Sequence, residues 1–112
     1  MSAPIELGVQ EPWFTFIKSG RKKIEGRLNK GNFAKLKKGQ IVVWTNGNKK
    51  VKTKITNIFT YKTFSDMLIF EGLKNALPSI QTLEAGEAVY YSFYTKEKEA
   101  SLGVLAIELE LI

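Results

Sequence analysis

Asn46-Gly47-Asn48-Lys49 is the segment that most restricts what this 112-residue chain can fold into. Asn and Gly both tolerate the positive φ that a tight hairpin turn requires. Before it stands Ile41-Val42-Val43-Trp44-Thr45, and after it a long alternating run from Lys50 to Tyr61. Two antiparallel strands must meet at this turn. The alternation sets Val51, Thr53, Ile55 and Phe59 on one face of the return strand and Lys50, Lys52 and Lys54 on the other.

Other segments add to the hairpin. Ile5–Val9 and Lys23–Leu28 read as strands, the second with Ile24, Gly26 and Leu28 on one face and Lys23, Glu25 and Arg27 on the other. Between them Pro12 opens a helix of about two turns, with Trp13, Phe16 and Ile17 on one stripe. Gly20 follows its end. A helical section follows the hairpin. Ser65 is expected to cap its first helix, with Phe64 and Ile69 placed as a hydrophobic staple. Thr82 is expected to cap a second that carries Leu83, Val89, Tyr90, Phe93 and Tyr94. From Gly103 to Leu111 the residues Leu105, Ile107, Leu109 and Leu111 alternate with Val104, Ala106, Glu108 and Glu110, a strand with one buried face. The order predicts an α+β, mainly β domain over residues 1–112: a small barrel of about five strands with two or three short helices packed at its ends.

Composition decides which chemistries are open. Cysteine and histidine are both absent, which removes disulfides, thiolate nucleophiles, Cys/His zinc sites and imidazole catalysis. No metal and no cofactor are expected. No apolar run approaches the ~20 residues of a membrane span, and Met1–Glu6 does not read as a secretory signal. A cytoplasmic, monomeric protein without a membrane partner is the expectation. Residues 1–56 carry 13 Lys and Arg against 3 acidic residues, whereas residues 57–112 carry 4 against 8. Such asymmetry suits a polyanionic partner facing the surface built by the first half.

The densest concentration of chemistry is Gly20-Arg21-Lys22-Lys23-Ile24-Glu25-Gly26-Arg27, a G-x-K-x-x-E-x-R pattern. Glu25 and Arg27, at i and i+2, share one strand face and can meet or share a ligand. A carboxylate beside a guanidinium stays ionised and accepts hydrogen bonds from base amino groups. Arg27 offers a planar fork of donors for a phosphate or a base edge. Lys22 joins them only if it lies in the turn after Gly20 or on a bulge, and Lys18 and Lys22 would then share a rim. As a plain structural feature, Glu25–Arg27 would be an ion pair closing one barrel end.

With this motif the chain resembles the ASCH family, whose fold is like that of the PUA domains of RNA-modification proteins. Lys38-Gly39-Gln40 leading into Ile41–Asn46 is similar to the family's basic-Gly-Asp approach to a strand, with Gln40 in place of Asp. Tyr61-Lys62-Thr63-Phe64 resembles its Y-x-x-F start of a helix. Phe93-Tyr94, Glu99 and Gly103–Ile107 resemble its closing segment. The resemblance implies a PUA-like barrel that binds RNA or a nucleotide in a cleft between barrel and helices. The candidate binding residues are Lys22, Glu25 and Arg27, with Lys18, Arg21, Trp44, Asn46 and Tyr94 around them. Lys50, Lys52 and Lys54 are the candidate phosphate track. Trp13 and Trp44 could serve as stacking platforms or as core.

A second reading makes the chain an enzyme. Some ASCH-like proteins are acetylcytidine amidohydrolases that use the motif Lys, a Thr at the motif Glu position and a later Glu. Lys22 matches the first. Glu25 stands where the Thr nucleophile would be, and Glu71 or Glu84 could supply the third. A different hydrolysis, such as RNA cleavage, would use Lys22 and Glu25 as acid and base.

Overall fold

In the computed structural model, which describes residues 3–112, the Asn-Gly turn joins β3 (Ile41–Asn46) to β4 (Lys49–Tyr61). Asn46 stands opposite Lys49, and Gly47 takes φ +59°, a conformation cheap for a residue without Cβ. The remaining elements in chain order are β1 (Ile5–Gly8), α1 (Trp13–Lys18), β2 (Ile24–Leu28), a 3-10 turn (Phe33–Lys35), α2 (Phe64–Glu71), α3 (Leu73–Ala76), α4 (Leu83–Tyr91), α5 (Lys96–Leu102) and β5 (Val104–Leu111). One sheet in the order β1-β3-β4-β5-β2 forms a curled half-barrel. β1 runs parallel to β3, and the other pairings are antiparallel.

The inner face of the curl holds Leu7, Val42, Trp44, Ile55, Leu105 and Ile107, with Phe14 and Ile17 of α1 packed among them. The outer face of β2 and β5 presents Ile24, Leu28, Val104 and Ala106 to α2, α3 and α4, whose Phe64, Met67, Ala76 and Tyr90 complete a second core. β5 lies between β4 and β2 and is covered on both faces, so its first four residues are all buried. One buried face was expected. A central strand under helices has two.

Several details depart from the sequence reading. The register of β4 slips between Ile55 and Asn57. Beyond that bulge Ile58, not Phe59, joins the inner core, and Phe59 turns outward, 38% exposed. In α1 the buried residues are Phe14 and Ile17, while Trp13 and Phe16 sit half-buried. Pro12 precedes the helix as its N-cap. α2 is capped by Thr63, whose hydroxyl accepts the Asp66 N–H at 3.0 Å. Ser65 lies inside that helix, and Ile69 is exposed, so no staple forms. The Thr82 cap forms as expected, accepting the Ala85 N–H at 3.1 Å. α4 ends at Tyr91, however, and Phe93 and Tyr94 lie in the turn beyond it. Among the described residues there are five short helices where two or three were expected.

Candidate functional site

β1 and β2 are the two edges of the sheet, and a cavity of about 180 Å³ lies between them. The G-x-K-x-x-E-x-R segment forms its β2 wall. Gly20 takes φ +81° at the end of α1, and the chain folds back so that the Lys22 N–H bonds the Phe16 carbonyl at 2.9 Å. Lys22 is therefore held in the turn, outside β2, and its side chain converges with those of Glu25 and Arg27.

The Lys22 Nζ donates to the Ile24 carbonyl at 2.7 Å and to the Ala76 carbonyl, and pairs with Glu25 Oε1 at 3.2 Å. An ammonium has three protons, and these three partners use them all. Glu25 Oε2 accepts from Arg27 Nε at 2.7 Å, and Arg27 Nη2 donates to the Gly8 carbonyl at 2.9 Å, joining the two sheet edges. The guanidinium lies 4.5 Å from the Phe33 ring centre. Burial pushes the Glu25 carboxyl up, but Lys22 and Arg27 together hold it below its ordinary value, so it is ionised at neutral pH. Burial drives the Lys22 amine below its ordinary value, and Glu25 offsets only part of that.

The ion-pair chain leaves polar capacity facing the cavity. Glu25 has two lone-pair sites beyond those given to Lys22 and Arg27, and Arg27 keeps donors beyond its two bonds. The Leu109 N–H bonds the Lys23 carbonyl, and the Asn29 N–H bonds the Gly103 carbonyl. Given the β2–β5 register, odd-numbered β2 residues face β5, and the Gly26 N–H and C=O point to the open edge. A Cβ at Gly26 would come within 2.7 Å of Met67 Cε and 3.0 Å of Tyr90 Oη. Tyr90 is 5% exposed, and its hydroxyl has no partner among the described residues. Burial raises its pKa well above the ordinary phenol value, with Glu25 adding to the shift, so it stays a proton donor. Trp13, Phe93 and Tyr94 supply aromatic walls. Tyr94 stacks on Phe64 at 5.4 Å.

A family model for the ASCH domain matches residues 7–112 of the chain. The chain belongs to the ASCH domain family. Its fold is shared with the crystal structure of the hypothetical protein PH0355, at a TM-score of 0.91 and 41% identity over 98% of this chain and 100% of that one. It is also similar to protein PF0455 from Pyrococcus furiosus, solved by NMR, at 0.83 and 39% identity over 98% of each chain. No curated protein matches it.

Against this ASCH frame the expected site residues divide. Lys22, Glu25, Arg27 and Tyr94 line the cavity. Trp44 does not: it is fully buried, its indole N–H donates to Thr53 Oγ1 at 2.9 Å, and no ring face is open to a ligand. Asn46 donates its side-chain amide to the Val9 carbonyl at 2.9 Å and so braces the β1 wall. Lys18 and Arg21 are exposed outside the cavity, so Lys18 and Lys22 do not share its rim. Lys50, Lys52 and Lys54 lie on the hairpin, away from the cavity, and Lys50 pairs with Glu6 at 3.3 Å. Glu71 bonds the Tyr61 hydroxyl and Glu84 is exposed on α4, so neither lines the cavity. Among the described residues no cluster of acidic side chains could hold a metal, and no helix is long and apolar enough to cross a membrane.

Tyr90, Gly26 and Phe93 were missed as site residues in the sequence. Tyr90 reads there as one more apolar position of a helical stripe. Only the packing of α4 over β2 brings its hydroxyl to the sheet edge.

Proposed function

We propose that this ASCH domain binds RNA by seating one base, or a free nucleotide, in the cavity between β1 and β2. The observation that carries the reading is the buried, unpartnered Tyr90 hydroxyl beside the Glu25–Arg27 pair. Among the described residues no protein group accepts from it, which leaves the donor to an acceptor in the cavity. The Glu25 carboxylate complements it by accepting from an exocyclic amino group, and the Arg27 donors suit an exocyclic carbonyl oxygen or a ring nitrogen. Aromatic walls accommodate a planar ring. The cavity of about 180 Å³ is below the ~300–1,000 Å³ that holds drug-sized ligands, which favours one base over several.

The geometry gives less support to Lys22 as a catalytic acid or base. All three of its protons are committed to protein acceptors, and neither Glu71 nor Glu84 reaches the cavity. Lys22 acts on this reading as a positioning residue for Glu25.

The test is Tyr90→Phe, assayed by calorimetric titration with nucleosides and short RNAs. A hydroxyl kept for a ligand makes the variant as stable as the parent or more so, and weakens binding about fivefold to tenfold, near 1–1.5 kcal/mol. Equal affinity for parent and variant would remove the main support. Turnover of acetylcytidine by the unaltered protein would replace the binding reading with the amidohydrolase one.

A further inference from the structure

Lys22 faces the cavity, but the residues on either side of it face elsewhere. Arg21 and Lys23 line a separate surface groove of about 670 Å³, together with Lys74 of α3, Ser79 and Gln81. The segment Ala76–Ser79 divides the two: Leu77 lines the cavity, whereas Pro78 and Ser79 line the groove. The groove is lined by three cations and no carboxylate. None of the three takes part in an ion pair within 4 Å among the described residues. The Arg21 guanidinium rests over the Phe16 ring at 4.6 Å, a stacking that leaves its in-plane donors for an anion.

The hairpin lysines present a different electrostatic picture. Lys49 and Lys50 already face Glu11 at 3.7 Å and Glu6 at 3.3 Å, and Lys54 stands in register with Glu110 of β5. A phosphate arriving there competes with carboxylates already in place. At the groove it meets cations with no ion-pair partner within 4 Å among the described residues, so it need not displace a carboxylate already in place. Beyond Lys23 and Asn75 the surface turns acidic, with Glu71, Glu108 and Glu110 around a neighbouring hollow. That boundary repels a polyanion and limits the basic track to the Arg21–Lys74 side.

We infer that the Arg21–Lys23–Lys74 groove binds phosphates of the RNA whose base is seated in the cavity. The inference rests on the proposed base site, and adds to it a separate phosphate site.

The experiment compares the parent protein with Arg21→Gln/Lys23→Gln/Lys74→Gln and with Lys50→Gln/Lys52→Gln/Lys54→Gln, titrating each with free nucleosides and with short single-stranded RNA across a salt series. The groove variant is expected to bind nucleosides like the parent. Its slope of log affinity against log salt for RNA should fall by about 2, from roughly 0.7 for each of three lost phosphate contacts. The hairpin variant should keep the parent slope. The opposite pattern, with the slope lost only in the hairpin variant, overturns the inference. A second measurement stands apart from the base site: NMR titration of the parent with inorganic pyrophosphate should shift the Arg21, Lys23, Lys74 and Ser79 amides before those of Gly26 and Tyr90. If no groove amide moves, the groove is not a phosphate site. If nucleosides leave Gly26 and Tyr90 unmoved while pyrophosphate shifts the groove, the base site has failed and the phosphate site stands.

Discussion

Glu25 carries more of the site than any other side chain, because it holds Lys22 with one oxygen and Arg27 with the other. Removing the charge leaves two cations, one of them fully buried, without their counter-ion. Glu25→Gln is expected to cost about 3–5 kcal/mol at pH 7. Its folded pKa lies below the ordinary 4.5, so its contribution is complete above the unfolded value and is lost as pH falls through the lower folded one. The stability gap between parent and variant should therefore be full at pH 7 and shrink as the pH drops below 4.5. Urea unfolding of both proteins at pH 7 and at pH 3 measures it. A gap that stays constant would mean that Glu25 acts through packing and not through charge.

At the scale of elements, the helices are short and depend on caps and on each other. Thr63, Thr82 and Thr95 each accept the N–H three residues on, and so begin α2, α4 and α5 in the same way. The buried Glu99 of α5 then ties two other helices together. Its Oε2 accepts the Phe64 N–H at 2.8 Å, and both oxygens accept the Tyr91 hydroxyl. Burial and this carboxylate push the Tyr91 phenol up to about 12. Glu99→Ala orphans both donors. The expected loss is about 1.5–3 kcal/mol by chemical denaturation, with faster hydrogen exchange at the Phe64 amide. Unchanged exchange there would show that the α2 terminus is held by packing alone. Glu99 could be noticed in the sequence within a segment that resembles the closing part of the family, but not its role. Its partners lie 35 and 8 residues away, and no local pattern encodes that convergence.

For the molecule as a whole, the decisive feature is a sheet that curls without closing. β1 and β2 share no ladder, and Arg27 spans them through Glu25 on its own strand and Gly8 on the other. Arg27→Lys keeps the charge but loses the fork that reaches both acceptors at once. It is expected to cost about 1–3 kcal/mol and to speed hydrogen exchange along β1 while leaving the β3–β4 hairpin protected. Equal protection of β1 in both proteins would assign the seam to other contacts. The sequence alone determined the hairpin, the strand periods and the faces of Glu25 and Arg27, because turn chemistry and a two-residue period are local properties. It also carried the resemblance to the ASCH family, to which the chain belongs. The bulge at Thr56, the fully buried ring of Trp44, the convergence of Lys22 and the arrival of Tyr90 at the sheet edge were decided by the tertiary structure. Each depends on which distant surface packs against the residue, and burial is a property of the assembled fold, not of neighbours in the chain.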